Sequence, residues 1–305
     1  MGKVSVAEIK ELMKSTGVGM MDCKKALEAN EGDMDKAIEF LREKGLATQA
    51  KKSSRAAAEG IVTAVVNGNV GVLLEVNTET DFAANTDDIK NFVNAVANTI
   101  IEKNPADVEA LKAETISGGT STVADVLTEL AGMKIRENIV IRRFVRMEGV
   151  LSSYIHNGGS IGVMVKLDTE LPAEQVTAIG KDVAMQSAAL NAPYLCREQV
   201  SADVLEKERE IMLAQMAEDP KMANKPEQVR AKIVEGKIGK YYSENCLLEQ
   251  AFVKDDKLTV QGYVDAEAKK LGGTIKVVDV IRYERGEGVE KKEDNLADEV
   301  AKMIK

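Results

Sequence analysis

The chain has 305 residues, 44% of them hydrophobic and 30% charged, which is enough material for two or three compact units, each with a core. A formal net charge of -9 argues against broad binding along a phosphate backbone, which needs a basic stripe to release counterions, so no direct nucleic-acid ligand is expected. Aromatic residues make up only 4%, with no Trp, so the cores must be built from Val, Ile, Leu, Ala and the 13 Met, a composition that favours helix-rich layers.

In chain order, residues 1–52 read as a small three-helix unit. Ser5 and Glu8 form a capping box ahead of Ile9, Leu12 and Met13, which recur at helical spacing. Gly17 and Gly19 break the chain. A second helix covers about residues 21–29 and stops at Asn30 and Gly32, after which Asp33 caps a third helix with Met34, Ala37, Ile38 and Leu41 on one face. Beyond Gly45 the sequence turns cationic with little apolar periodicity, partly helical, and residues 53–59 are assigned as a linker.

Residues 60–148 and 149–200 then open with the same pattern. The run from Gly60 through Gly68 and Gly71 to Val76 is similar to the run from Gly149 through Gly158 and Gly162 to Leu167, each reading as strand, Gly/Asn turn, strand, then helix. In the first copy Ile89, Phe92, Val93, Val96 and Ile100 stripe the helix that follows, shorter helices are expected at residues 108–113 and 123–130, and apolar alternation predicts a strand over residues 135–144. In the second copy the helix spans residues 173–189, and the closing strand is expected far downstream at residues 275–283, so this unit comprises residues 149–200 and 246–285. The insertion at residues 201–245 reads as an antiparallel helical hairpin, a projecting arm. Val204, Leu205, Ile211, Met212 and Met216 lie on one helix and Val229, Ile233, Ile238 and Tyr241 on the other, with Pro220 and Pro226 around the turn. Residues 286–305 read as a last module, in which Leu296, Val300, Met303 and Ile304 are expected to stripe a short helix. The fold class is therefore α+β: a three-helix domain, a core of two related α+β parts, an inserted hairpin and a C-terminal helical module.

Little in this chain points to chemistry. His156 is the single histidine, set in a Gly/Asn turn with no GxSxG or HExxH around it, which leaves turn filler or partner contact as its readings. There is no GxxxxGK[ST] and no GxGxxG, so no bound nucleotide or other cofactor is expected. Cys23, Cys196 and Cys246 are odd in number and widely spaced, which suggests neither a disulfide framework nor a zinc site and fits a reducing cytoplasm. Asp87-Asp88 is read as the acidic first turn of a helix rather than a metal site. No apolar run has signal-peptide or membrane-spanning length, so no membrane association is expected.

The feature that stands apart is Thr80-Asp81-Phe82-Ala83, between the second strand and the long helix of the first copy. The second copy carries Leu171-Pro172 there, so the repeat does not itself demand an acidic and aromatic tip. Two readings stand: a probe for a partner protein, or a loop acceptor with a hydrophobic staple folded onto the following helix. Met20-Met21 has a similar ambiguity, since consecutive Met cannot both face inward on a small helix and one is expected to be exposed.

The runs from Thr16 through Gly17-Val18-Gly19-Met20-Met21-Asp22-Cys23-Lys24-Lys25 to Leu27, Thr80-Asp81-Phe82, Lys134-Ile135-Arg136-Glu137-Asn138 and Gly286-Glu287-Gly288-Val289-Glu290-Lys291 together resemble the bacterial elongation factor Ts family over essentially the whole chain. The resemblance implies an N-terminal domain of the ubiquitin-associated (UBA-like) type, two related α+β subdomains, a coiled-coil arm and a C-terminal module. It implies a non-enzymatic activity, guanine nucleotide exchange on elongation factor Tu, with no cofactor or metal held by the chain itself. Positions matching Thr80, Asp81, Phe82 and Ala83 would act beside the partner's magnesium site. Those matching Met20, Met21, Lys24, Ile135 and His156 would anchor the complex, and the arm is a candidate for pairing two copies. Ala83 departs from the Val of many members, a loss of two methyl groups that should loosen local packing slightly. A scaffold that recruits proteins without changing any nucleotide is the competing expectation; an enzyme is weaker, because no cluster supplies a nucleophile and base.

Overall fold

The computed structural model describes residues 4–219, 222 and 225–289, and its architecture mixes helix and sheet. Three helices come first: α1 (Val6–Thr16), α2 (Met20–Ala29) and α3 (Met34–Lys52). The Ser5/Glu8 capping box is formed, with Ser5 Oγ accepting from the Glu8 N–H at 3.2 Å and Glu8 Oε2 accepting from the Ser5 N–H at 2.7 Å. Leu12, Cys23, Ala26, Leu27, Ala37 and Leu41 fill the space between the helices, and Met133, from much later in the chain, completes that core. A bundle close to the smallest size that folds alone thus takes one of its core side chains from the neighbouring unit.

The next segment is the hairpin of β1 (Glu59–Asn67) and β2 (Val70–Thr78), followed by the short helical turn α4 (Asp81–Ala84), the long α5 (Asp87–Lys103), α6 (Val108–Ala113) and α7 (Val123–Glu129). A π-helical turn, Leu130–Lys134, leads towards β3 (Val140–Glu148), which pairs antiparallel with β2 to give the sheet order β1-β2-β3. The predicted stripe of α5 is buried against this sheet together with Val72, Leu74 and Val76. Asp87 and Asp88 sit in the first turn of α5, where its dipole favours them.

The second sheet repeats the plan. β4 (Val150–His156) and β5 (Ile161–Thr169) form the hairpin, α8 (Ala173–Ala189) covers it, and α9 (Ala202–Glu218) and α10 (Glu227–Asn245) make up the insertion. The small ribbon β6 (Ala251–Phe252) and β7 (Asp255–Thr259), α11 (Val260–Leu271) and β8 (Ile275–Glu284) complete it, with the order β4-β5-β8. Both central strands carry a register shift at matching places, Glu75/Val76 and Lys166/Leu167. The two sheets meet face to face through Val62, Leu73, Met147, Leu151 and Met164. Gly71 and Gly162 occupy matching positions there: a Cβ on Gly71 would lie 2.7 Å from Leu151 Cδ1, and one on Gly162 would lie 2.5 Å from Val62 Cγ1. Outside the sheets lie the helices, so the core is a stack of helix, sheet, sheet, helix.

Four expectations change. The strand predicted over residues 135–144 starts only at Val140, because the π turn and the left-handed backbone of Arg136 (φ 61°) carry Ile135 under the first core instead of into the sheet. The ribbon β6–β7 and α11 have no counterpart in the sequence reading, although Thr259, whose Oγ1 accepts from the Gly262 N–H at 3.0 Å, and the spacing of Val260, Val264 and Ala268 mark a capped amphipathic helix. In the arm the seam runs through Met216, Val234 and Ile238, and the expected seam residues Ile211 and Val229 are 46% and 40% exposed. The cationic stretch after Gly45 is regular helix as far as Lys52. The expected helix at residues 294–305 and Pro220 lie outside the described residues. Among the described residues no helix is long and apolar enough to cross a membrane, and the three cysteines are free thiols.

The end of β8 is tied to the first sheet through Glu75, which is fully buried. Its carboxylate accepts from the Gly286 N–H at 2.8 Å, from Arg142 Nη1 at 2.9 Å and from Arg143 Nε at 2.6 Å. Burial pushes the Glu75 carboxyl up, but the Gly286 N–H and the two guanidinium groups outweigh it and hold it below the ordinary value of 4.5. A depressed carboxyl stabilises the fold fully above its unfolded pKa and loses that contribution as pH falls through the folded one. Glu75→Gln should therefore cost on the order of 2 kcal/mol at neutral pH. Denaturant unfolding at a series of pH values should show the gap between variant and parent closing as pH drops below about 4.5.

Candidate functional site

The tip is a turn capped twice. Thr80 has extended backbone and its Oγ1 accepts from the Ala83 N–H at 3.2 Å, while Thr86 closes the far side, its Oγ1 donating to Ala83 O at 2.8 Å and accepting from the Ile89 N–H at 3.3 Å. These caps use the hydroxyls that Thr offers at helix starts and leave no backbone slack between β2 and α5. The consequence is an outward-facing pair. Phe82 is 83% exposed, and the exposed Asp81 carboxylate has no hydrogen-bond or ion-pair partner among the described residues. A staple would have buried the ring, so the folded-back reading of Phe82 does not survive. Ala83 is buried beneath the turn with Ala84, so of the four expected tip residues it supports from below, and Thr80 is half-buried.

Thr80 is also held from outside its own hairpin. Glu137 accepts from the Thr80 N–H with Oε2 at 3.0 Å and from Thr80 Oγ1 with Oε1 at 2.7 Å. In return, Glu79 Oε1 accepts from the Asn138 N–H at 2.6 Å and Glu79 Oε2 lies 3.3 Å from Arg55 Nη1. Asn138 reaches across to the linker, its Nδ2 donating to Arg55 O at 2.7 Å. Thr78 Oγ1 donates to Thr80 O at 2.7 Å, which fixes the strand end.

The other expected residues fall in three places. Met20 and Met21 open α2 and are 51% and 65% exposed, so both face outward rather than one; Gly19, the cap position, has no side chain to shield them. Lys24, one turn on, is paired only loosely with Glu28 at 3.6 Å. Ile135 is half-buried against the first core, at the far end of the π turn. His156 is exposed where β4 ends, its Nδ1 3.0 Å from the Tyr154 hydroxyl, and the turn after it packs over β1, where a Cβ on Gly159 would meet Ile61 Cγ2 at 2.9 Å. His156 therefore belongs to the second sheet and not to the tip.

What the sequence reading missed is the connection between α2 and the tip. Asp22, on α2, accepts from Lys44 Nζ at 2.6 Å and pairs with Arg136. The hydrogen bond from Lys44 lowers the Asp22 carboxyl, against an opposing push from burial and with help from Arg136. α3 crosses the π turn so closely that a Cβ on Gly132 would lie 2.3 Å from Gly45 O, and Met133 enters the bundle core beside it. No group of three or more His, Cys, Asp or Glu side chains suited to a metal occurs among the described residues.

Comparisons with known proteins agree on one family. A family model described as elongation factor TS matches residues 79–287. The chain is 47% identical to the elongation factor Ts of Trichlorobacter lovleyi, over 98% of this chain and 97% of that protein. It is 47% identical to the elongation factor Ts of Clostridium kluyveri, over 99% of both, and 44% identical to that of Magnetococcus marinus, again over 99% of both.

An aromatic ring that contacts water gives the folded state little. Phe82→Ala should leave the unfolding free energy within about 0.5 kcal/mol of the parent, whereas Thr80→Ala, which removes a cap, should cost about 1 kcal/mol or more. Thermal or urea denaturation followed by circular dichroism measures both; a large loss for Phe82→Ala would mean that the ring packs inside the molecule.

Proposed function

The chain belongs to the elongation factor Ts family, and on that basis we propose that it is a non-enzymatic guanine nucleotide exchange factor acting on elongation factor Tu, with Asp81 and Phe82 as the group that disturbs the partner's magnesium site. The single observation that carries the proposal is the Phe82 ring, 83% exposed on a doubly capped turn and so presented for another protein to receive.

Exchange works by linkage: whatever factor in affinity the protein costs the nucleotide, the nucleotide costs the protein in return. Loosening a nucleotide about 10,000-fold requires about 5.5 kcal/mol of differential binding, more than one carboxylate supplies. The reading therefore assigns anchoring to Met20, Met21 and Lys24 on α2, with Ile135 and His156 on the core. The ring separates side chains that support the cation, and the carboxylate competes for its water shell. Magnesium keeps a strict octahedral geometry and several waters, so a small displacement of its surroundings suffices to release it, after which the diphosphate is held less tightly. The same reading takes residues 1–52 as a UBA-like anchor, residues 60–148 with 149–200 and 246–285 as the two core parts, and residues 201–245 as a coiled-coil arm that pairs with a second copy or with the partner.

Added in catalytic amounts to elongation factor Tu preloaded with fluorescent GDP, the protein should accelerate release. The double variant Asp81→Ala, Phe82→Ala should lose most of that acceleration with its fold unchanged. Full retention of the rate would sink the tip mechanism, and partner capture without any change in release would favour a scaffold.

A further inference from the structure

We propose that Glu137 is a positioning residue for the tip: its carboxylate locks the Thr80 turn so that Phe82 is presented in one orientation, and through its neighbour Arg136 that orientation is referred to α2. This deepens the exchange reading and rests on it.

The hydroxyl of Thr80 has one hydrogen to give and must cap the Ala83 N–H. Glu137 takes that hydrogen at 2.7 Å and the Thr80 amide at 3.0 Å, so the hydroxyl rotor is fixed and its lone pairs face the turn they cap. Without Glu137 the hydroxyl would be free to rotate and the cap would be one weak contact. With it, the strand end, the cap and the first helical turn form one unit.

The residue just before it faces the opposite way. Arg136 adopts φ 61°, a left-handed backbone that non-glycine residues disfavour, and it pairs with Asp22 on α2, next to Lys44. Consecutive side chains thus join the two surfaces to which partner contact is assigned, one each. Nothing in the fold alone requires this. At Leu171, which stands where the first copy has Thr80, the N–H donates to Thr169 Oγ1 at 3.1 Å, and Pro172, the cap of α8, makes no side-chain cap hydrogen bond.

A positioning role predicts a particular kinetic signature. If the anchors set affinity and the tip sets the rate, loosening the tip lowers the maximal exchange rate because fewer complexes present the ring correctly, and leaves half-saturation alone. In the preloaded-GDP assay, titrated with the factor to saturation, Glu137→Ala should reduce the maximal rate about tenfold with less than about a twofold change in half-saturating concentration. Glu137→Gln, which keeps one acceptor but sets an amide against the second donor, should fall between. In a Phe82→Ala background, Glu137→Ala should add nothing further, and amide exchange at Thr80 and Ala83 should quicken in Glu137→Ala alone. If Glu137→Ala does not fold, Glu137→Gln carries the test on the same readouts. An unchanged maximal rate, a rise in half-saturation alone, or a loss that adds to that of Phe82→Ala would each overturn the proposal while the exchange reading stands. If Phe82→Ala itself exchanges at the full rate, the assignment of the tip fails first and takes this proposal with it.

Discussion

Two carboxylates exchange backbone partners between the end of β2 and the turn that follows the π helix, and the arrangement of the whole amino-terminal half depends on that crossing. Glu137 receives the Thr80 amide and hydroxyl, and Glu79 receives the Asn138 amide. Hydrogen bonds to charged acceptors are the stronger kind, and here each carboxylate meets a donor fixed by the main chain rather than a mobile side chain. Asn138 extends the crossing to the linker through Arg55 O. The strand end, the linker and the turn from residue 135 to 138 are therefore one rigid junction.

From this junction the structure spreads in two directions. Towards α2 the connection is made by packing as much as by charge: Gly45 and Gly132 let two backbones touch, and Met133 fills a gap in the bundle core. A side chain at Gly132 would run into the Gly45 main chain and separate α3 from the π turn, and with it the exposed Met20 and Met21 from the tip. Towards the second sheet the connection is the face-to-face contact at Gly71 and Gly162, where the absence of side chains again allows close approach. Glu75 closes the arrangement by holding Gly286 and the two arginines of β3, so that the end of β8 is tied to the first sheet.

An exposed ring on a mobile loop would lose much of its contact energy in being ordered on binding. Here the ordering has been done during folding, by caps on both sides of the turn and a carboxylate beneath it. This matters for the proposed activity, because exchange is set by the difference between two binding free energies, and ordering cost on the tip would be subtracted from the term that drives it.

Much of the fold could be read from local pattern. The repeated strand, turn and strand, the stripe of α5, the cap at Ser5, the span of α8 and the last strand at Ile275 were all legible, because period and capping are properties of neighbouring residues. So was the oddity of Thr80-Asp81-Phe82, since the second repeat served as its control. The family, too, was legible from motifs spread along the chain. Local pattern misled at Ile135, where apolar alternation implied a strand and a π turn with a left-handed Arg136 intervened, and in the arm, where helical spacing could not say which of several apolar residues would face the partner helix. Only the tertiary structure decided that Phe82 points outward while Ala83 points inward, that both Met20 and Met21 are uncovered, and that Glu137 holds Thr80 across 57 residues of chain. Exposure and long-range hydrogen bonds depend on what packs alongside a residue, and no window of neighbouring residues contains that.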